Sequence, residues 1–493
     1  MEFNRVSTGI KNLDLILNGG LIAGSQTLII GEPGAGKTIL SGIFAETGTQ
    51  KGENVVYVCV EEKPEQLRNE LKALGINLEN VLFVDATPSV ESRTWVIKKE
   101  KPSDAYRTGI EYEFNPEGLI GFLKPLAERK KIDRLIIDSF SSLLSLFETS
   151  SKARQAVTKL LNFFRSLNVT TLITMEKESE RSFLALTKHL VDTVIILTEH
   201  YGQRSLIVKK IRGSAYLSGI HTFQISDTRG INVFPAFSSY MKLFSTLCEE
   251  RTKRNKTENR EKKRKGFGID WIDKMMQGGV SPGTSTLISG PTGSGKTFLS
   301  TLFLLSGISN GEKGLMISLE DTLSRFIDVM EDRGFDIEQY LNDKLKFEAC
   351  SPREIDVNYI GFELVQLLEK ENYQRVVIDG FGTLEELLDE RTLTRFLYSL
   401  TNYIATKEIT SIFTVEVPGV GVPSKVTRKG VSFYFDNVFL MSNDFSTGTL
   451  RRMFSIIKMR KTQFDPTIKL YDIEKKTLKL LGSIAKSEKK TDY

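Results

Sequence analysis

Residues 9 to 38 read GIKNLDLILNGGLIAGSQTLIIGEPGAGKT, and residues 268 to 297 read GIDWIDKMMQGGVSPGTSTLISGPTGSGKT. The two segments align without a gap at an offset of 259 and agree at the GI, D, GG, G, TLI and G-x-x-G-x-G-K-T positions. Self-similarity at this spacing means a duplicated domain of roughly 230 to 250 residues, and a chain of 493 residues is long enough to close two such cores. The register persists beyond the repeat: 24 residues separate Lys37 from Glu61, and 24 separate Lys296 from Glu320. From Glu61 to Asp138 is 77 residues and from Glu320 to Asp379 only 59, so the first copy carries 18 extra residues, read as a polar surface excursion within 89–118.

The net charge of +5 is confined to one place. Residues 249–265, EERTKRNKTENREKKRK, hold nine Lys or Arg against four Glu, and the remainder balances at 58 basic and 58 acidic residues. So concentrated an excess reads as an exposed linker rather than a nucleic-acid patch. The expected organisation is a first domain over 1–248, the linker 249–265, a second domain over 266–482 and a polar tail 483–493, a docking peptide or a frayed end. No apolar run approaches the 18 or so residues of a membrane helix, and MEFNRVSTGIKNLD lacks the apolar core of a signal peptide, so a soluble cytoplasmic protein with no membrane partner is expected. Cys59, Cys248 and Cys350 form no CxxC pair, and His189, His200 and His221 have no ligand spacing, so neither a disulfide framework nor a protein-held zinc ion is indicated.

Short runs rich in β-branched residues, QTLII, NVVYVCV and RLIIDSF, alternate with helical segments such as EGLIGFLKPLAERKK. Strands this continuously apolar suit an α/β fold with a mainly parallel sheet covered on both faces by helices. Ligands of such sheets bind outside the carboxyl ends of the strands, where each candidate residue falls.

Two glycine-rich loops satisfy G-x-x-x-x-G-K-[ST]: Gly31, Gly34, Gly36, Lys37 and Thr38 in the first copy, and Gly290, Gly293, Gly295, Lys296 and Thr297 in the second. Glycines let successive N–H groups curl around phosphates, the lysine reaches the β and γ groups, and the threonine hydroxyl binds Mg²⁺. Asp138 and Asp379 end the apolar runs RLIIDS and RVVIDG in the manner of a carboxylate that completes the Mg²⁺ shell. Glu61 and Glu62, and Glu320 and Asp321, end the strand after each loop helix, where a carboxylate can orient and deprotonate an attacking water or, alternatively, cap a helix. Glu61 and Glu320 are the preferred bases. Lys210 with Arg212, and Lys458 with Arg460, form a Lys-x-Arg late in each copy, either a solvated strand edge or cations that reach a neighbouring subunit's γ-phosphate.

These four motifs per copy, STGIKNLD…IIGEPGAGKT, VEEKP, RLIIDS and KIRGS with their duplicates, resemble the KaiC family of double-domain ATPases within the RecA-like superfamily, over nearly the whole chain. The resemblance implies two tandem RecA-like P-loop NTPase domains and a homohexamer of two stacked rings, with ATP and Mg²⁺ held between adjacent subunits. It also implies regulatory protein partners, catalytic Glu61, Glu62, Glu320 and Asp321, and trans-acting Lys210, Arg212, Lys458 and Arg460. Clock members of the family autophosphorylate an adjacent Ser and Thr in the second domain. Here the matching segment is KGVSFYFDNVFL, where Ser432 fits the serine position and Phe433, which cannot accept phosphate, stands at the threonine position. Ser432 is a candidate phosphosite with Glu320 as its base, or an exposed strand serine. Gly380 stands where the first copy has Ser139. The alternative function is a RecA-like DNA-binding ATPase of recombination or repair, opposed by the charge balance and by the lack of a basic-aromatic stripe.

Overall fold

The computed structural model describes residues 3–87, 98–100, 116–144, 150–178, 181–226, 230–244, 263–341, 343–350, 356–417, 426–445, 448–460 and 462–484. Most of the polar excursion, the charged stretch up to residue 262 and the tail from 485 lie outside them. The chain divides into two compact units, Met1–Ser239 and Tyr240–Tyr493.

In the first unit the strand Gln26–Gly31, every residue of it buried, lies between Thr170–Glu176 and Thr193–His200. Arg134–Asp138, Val55–Cys59 and Leu82–Asp85 follow beyond Thr170–Glu176, and all six strands run parallel. Gln203–Ile211, His221–Ser226 and Gly230–Phe234 extend the other side antiparallel, and Lys98–Glu100 closes the opposite edge. The second unit repeats this order: Leu345–Ala349, Gly314–Ser318, Arg375–Asp379, Thr410–Glu416, Ser285–Gly290 and Asn437–Asp444 are parallel. Arg451–Met459, Lys469–Glu474 and Thr477–Ser483 continue it antiparallel. The parallel strands carry apolar side chains on both faces because helices cover both. In the first unit Leu13, Phe44 and Leu71 pack on one face, and Leu123, Leu160 and Phe164 on the other.

The residues repeated ahead of each glycine-rich loop are a structural tether. Asp14 accepts hydrogen bonds from Ser7 Oγ (2.5 Å) and the Thr8 N–H (2.7 Å), and Asp273 accepts from the N–H groups of Phe267 (2.7 Å) and Gly268 (3.0 Å). Gly20 (φ +110°) and Gly279 (φ +121°) are held by close backbone approach, since a Cβ there would lie 2.5 Å from the Val6 carbonyl oxygen and 2.3 Å from that of Lys265. Lys265 also pairs with Glu312, and Arg264 donates to the Gly279 carbonyl (3.1 Å). The last two residues of the stretch read as linker are therefore built into the second unit.

His221 is fully buried at the start of its strand. Its Nδ1 accepts from the Ala236 N–H (2.9 Å), which leaves Nε2–H to donate to the Leu217 carbonyl (3.0 Å). Burial pushes its pKa down to about 4, so the unfolded chain takes up a proton near pH 6.5 that the folded unit refuses. The neutral ring's contribution is complete above the unfolded pKa and is lost as pH falls from about 6.5 toward 4, by roughly 3 kcal/mol. Urea unfolding of the first unit at pH 7 and pH 4.5 should show that loss, and His221→Gln should flatten it.

Candidate nucleotide sites

Each glycine-rich loop leaves the carboxyl end of a central strand and turns into a helix, Lys37–Gln50 or Lys296–Ser309. The residues that cap these helices, Gly36 (φ +94°) and Gly295 (φ +93°), take the left-handed conformation that turns loop N–H groups toward a common point. Lys37 Nζ donates to the carbonyls of Gly31 (3.0 Å) and Glu32 (2.9 Å), and Lys296 Nζ to those of Gly290 (2.9 Å) and Pro291 (3.0 Å). Both ammonium groups are thus bent back over their own loops, where a phosphate would sit. Burial lowers the pKa of Lys296, opposed by the carboxylates of Glu416, Asp379 and Glu320.

Asp138 and Asp379 are the last residues of their strands. In the second copy Thr297 Oγ1 lies 2.9 Å from Asp379 Oδ2, and Thr414 Oγ1 donates to Oδ1 at 2.6 Å. These hydroxyl and carboxylate oxygens are hard donors, the kind that Mg²⁺ selects. Burial raises the pKa of Asp379, and the two threonine hydroxyls work against it. In the first copy the carboxylate is satisfied differently. Thr174 Oγ1 donates to Asp138 Oδ1 (2.5 Å) and Tyr57 OH to Oδ2 (2.7 Å), and no hydrogen bond joins Asp138 to Thr38.

The acidic pairs lie beyond their strands, which end at Cys59 and Ser318. In the second copy Ser318 Oγ accepts from the Asp321 N–H (2.8 Å), and the Glu320 side chain lies over Gly380, whose φ is +79°. A Cβ on Gly380 would come within 2.6 Å of Glu320 Cγ, so glycine is what lets this acid fold toward Asp379. Partial burial, then the Asp379 carboxylate, raises the pKa of Glu320. In the first copy Cys59 replaces the capping serine, the buried Ser139 replaces the glycine, and Glu61 instead accepts from Ser142 Oγ (2.5 Å). Burial, then the carboxylates of Glu70, Asp138 and Glu61, raises the pKa of Glu62.

Lys210 and Arg212 turn back on their own domain, to the carbonyls of Val191 (2.5 Å) and His189 (2.5 Å) at the end of the helix Arg181–Leu190. Lys458 and Arg460 do the same with Phe435 (2.6 Å) and Phe433 (3.3 Å). Ser432 lies in a 3₁₀ turn, Val431–Tyr434, ahead of the strand and not within it, because Gly430 (φ +69°) reverses the chain there. Ser432 is half-buried, beside the exposed Phe433.

Several contributors escaped the sequence reading: Tyr57, Ser318, and Tyr471, whose hydroxyl donates to the Ser294 carbonyl in the second loop (2.6 Å). Thr174 and Thr414 did have a signal, since a T-x-E closes the same strand in both copies, TLITME and SIFTVE.

A parallel sheet whose central strand feeds a glycine-rich loop, with the acid-ended strand two places away, defines a P-loop ATPase domain of RecA-like build, present twice. The family model described as the KaiC ATPase matches residues 6–238 and 266–483, and the chain belongs to that family. It is 26% identical over 484 residues to the circadian clock protein KaiC3 of Synechocystis, covering 95% of this chain and 90% of that protein. It is 25% identical to the circadian clock oscillator protein KaiC of Thermostichus vulcanus (99% and 91% covered) and 26% identical to that of Synechococcus elongatus (96% and 88%). Among the described residues no helix is long and apolar enough to cross a membrane.

Proposed function

We propose that this protein is an ATP-hydrolysing switch of the cytoplasm, a homohexamer of two stacked rings with ATP held as its Mg²⁺ complex between adjacent subunits and read by regulatory partner proteins. The names of its relatives support a role in biological timing. The observation that carries the reading is the duplicated constellation of loop lysine, loop threonine and strand-end aspartate, closed in the second copy by the 2.9 Å Thr297–Asp379 contact.

Lys37 and Lys296, with the loop N–H groups from Gly31, Gly34 and Gly36 and from Gly290, Gly293 and Gly295, bind the phosphates. Thr38 with Asp138, and Thr297 with Asp379, hold Mg²⁺, which supplies charge neutralisation of the β- and γ-phosphates when bound. Glu61 and Glu320 orient water and take its proton, with Glu62 and Asp321 as their neighbours. Lys210, Arg212, Lys458 and Arg460 exchange their carbonyl partners for a neighbouring subunit's γ-phosphate, and the exposure of Arg212 and Arg460 supports that reach. Ser432 accepts phosphate from ATP as the substrate of an autokinase. Its segment is tied to the second site, where Ser289 Oγ donates to the Val426 carbonyl (2.6 Å) and the buried Glu385 accepts from the N–H groups of Arg428 and Lys429 (3.4 Å each).

Incubation with Mg²⁺ and γ-labelled ATP tests the reading. Released phosphate is expected, with label retained on the chain and abolished in Ser432→Ala. Release without retained label would remove the autokinase, and absence of both would remove the enzyme. Gly380→Ala should push Glu320 out of place and lower turnover in a protein whose first site is silenced by Lys37→Ala, by about tenfold or more. Phosphate release at saturating ATP measures it.

A further inference from the structure

The two strand-end aspartates differ in what occupies their oxygens. Asp379 Oδ2 is met by the loop threonine, Thr297, at 2.9 Å. Asp138 Oδ2 is met by Tyr57 OH at 2.7 Å, while Thr174 Oγ1 takes Oδ1 at 2.5 Å. Tyr57 comes from the middle of the neighbouring strand Val55–Cys59 and is fully buried. Its hydroxyl also lies beside Ser41, one turn into the helix that begins at Lys37. The phenol therefore touches both the carboxylate and the loop helix, and it occupies the oxygen whose counterpart on Asp379 meets the loop threonine. At the equivalent position the second copy has Met316, buried and without a hydroxyl, so nothing there competes with Thr297.

Each aspartate accepts two hydroxyl donors, but one of those on Asp379 is Thr297, itself placed to hold the cation, whereas Asp138 accepts from Tyr57 and Thr174 and must give up or share a short bond with a residue outside the loop before serving a cation. Partners of this second rank alter metal affinity by about 10- to 100-fold.

We propose that Tyr57 is a positioning residue that holds Asp138 in competition with Thr38, so that nucleotide binding at the first site depends less on Mg²⁺ than binding at the second. This rests on the reading that both loops hold ATP with Mg²⁺. A hexamer built this way keeps nucleotide in one ring when free Mg²⁺ falls, while the other ring empties.

The test uses full-length protein with one site silenced at a time, Lys296→Ala to leave the first and Lys37→Ala to leave the second. A non-hydrolysable ATP analogue is titrated calorimetrically with MgCl₂ and again with EDTA. The gain in affinity on adding Mg²⁺ should be about tenfold smaller at the first site than at the second. Tyr57→Phe, which removes only the hydroxyl, should raise the first-site gain about tenfold and leave the affinity in EDTA unchanged, while the nucleotide-free protein, its buried carboxylate now short of one donor, unfolds at a lower temperature. Tyr57→Met, which copies the second site, should do the same and serves if the phenylalanine variant unfolds. An unchanged or reduced gain in both variants, with Mg²⁺ dependence intact at the second site, overturns this inference alone. Loss of Mg²⁺ dependence at both sites overturns the underlying reading, and the inference with it.

Discussion

Glutamine in place of both Glu61 and Glu320 should lower ATP hydrolysis by about 10²- to 10⁴-fold while ATP remains bound. Glutamine keeps the size of each side chain and an acceptor oxygen but cannot take a proton from water, so the loss falls on the chemical step. The single variants should divide the activity between the sites. Turnover left in Glu61→Gln belongs to the second site, where partial burial and the Asp379 carboxylate raise the pKa of Glu320. A base must be ionised to act, so that residual activity should climb with pH through a range above that of an ordinary carboxylate. Phosphate release at saturating ATP, paired with equilibrium nucleotide binding, checks both statements. Wild-type rates in the double variant would assign the water-activating role elsewhere.

Arg375→Ala should destabilise the second unit by about 3 to 5 kcal/mol. Arg375 begins the strand that ends in Asp379, and 2% of its surface is exposed. Its Nε donates to Glu312 (2.6 Å), its Nη1 to the carbonyls of Gly266 (2.6 Å) and Phe303 (2.7 Å), and its guanidinium lies 4.4 Å from the centre of the Phe303 ring. One fork thus fastens the entry segment, the loop helix and the strand together. Alanine would strip the guanidinium from the Gly266 and Phe303 carbonyls and leave Glu312 with Lys265 alone. Arg134 makes the matching set in the first unit, to Glu53, the Ser7 carbonyl (3.0 Å) and the Phe44 carbonyl (2.8 Å). Lysine at 375 should recover little, since it lacks the planar fork. Urea unfolding followed by fluorescence, with Trp95 replaced by Phe so that Trp271 reports alone, gives the number.

The order of elements and the positions of the two glycine-rich loops were legible in the residues because the signals are local. A glycine-rich loop needs its glycines, lysine and threonine at fixed spacing along one turn of chain, and a buried parallel strand needs a continuous apolar run, which in RLIID and RVVID closes on an aspartate. Duplication doubled each signal, so the loops, both strand-end aspartates and the acidic pairs align between the two copies in the sequence itself. Contacts across the sheet had no such signature. Nothing in NVVYVCV announces that Tyr57 faces Asp138, because the two residues are 81 apart and meet only when their strands pair. The same holds for Gly380 under Glu320, for Tyr471 against the second loop, and for the arginines of RLIID and RVVID, which read as ordinary strand starts. Chain spacing sets which groups are available for nucleotide chemistry. Tertiary packing decides which donor reaches each carboxylate oxygen, because a hydrogen bond forms only within about 3 Å and strand register alone brings residues so distant in sequence that close.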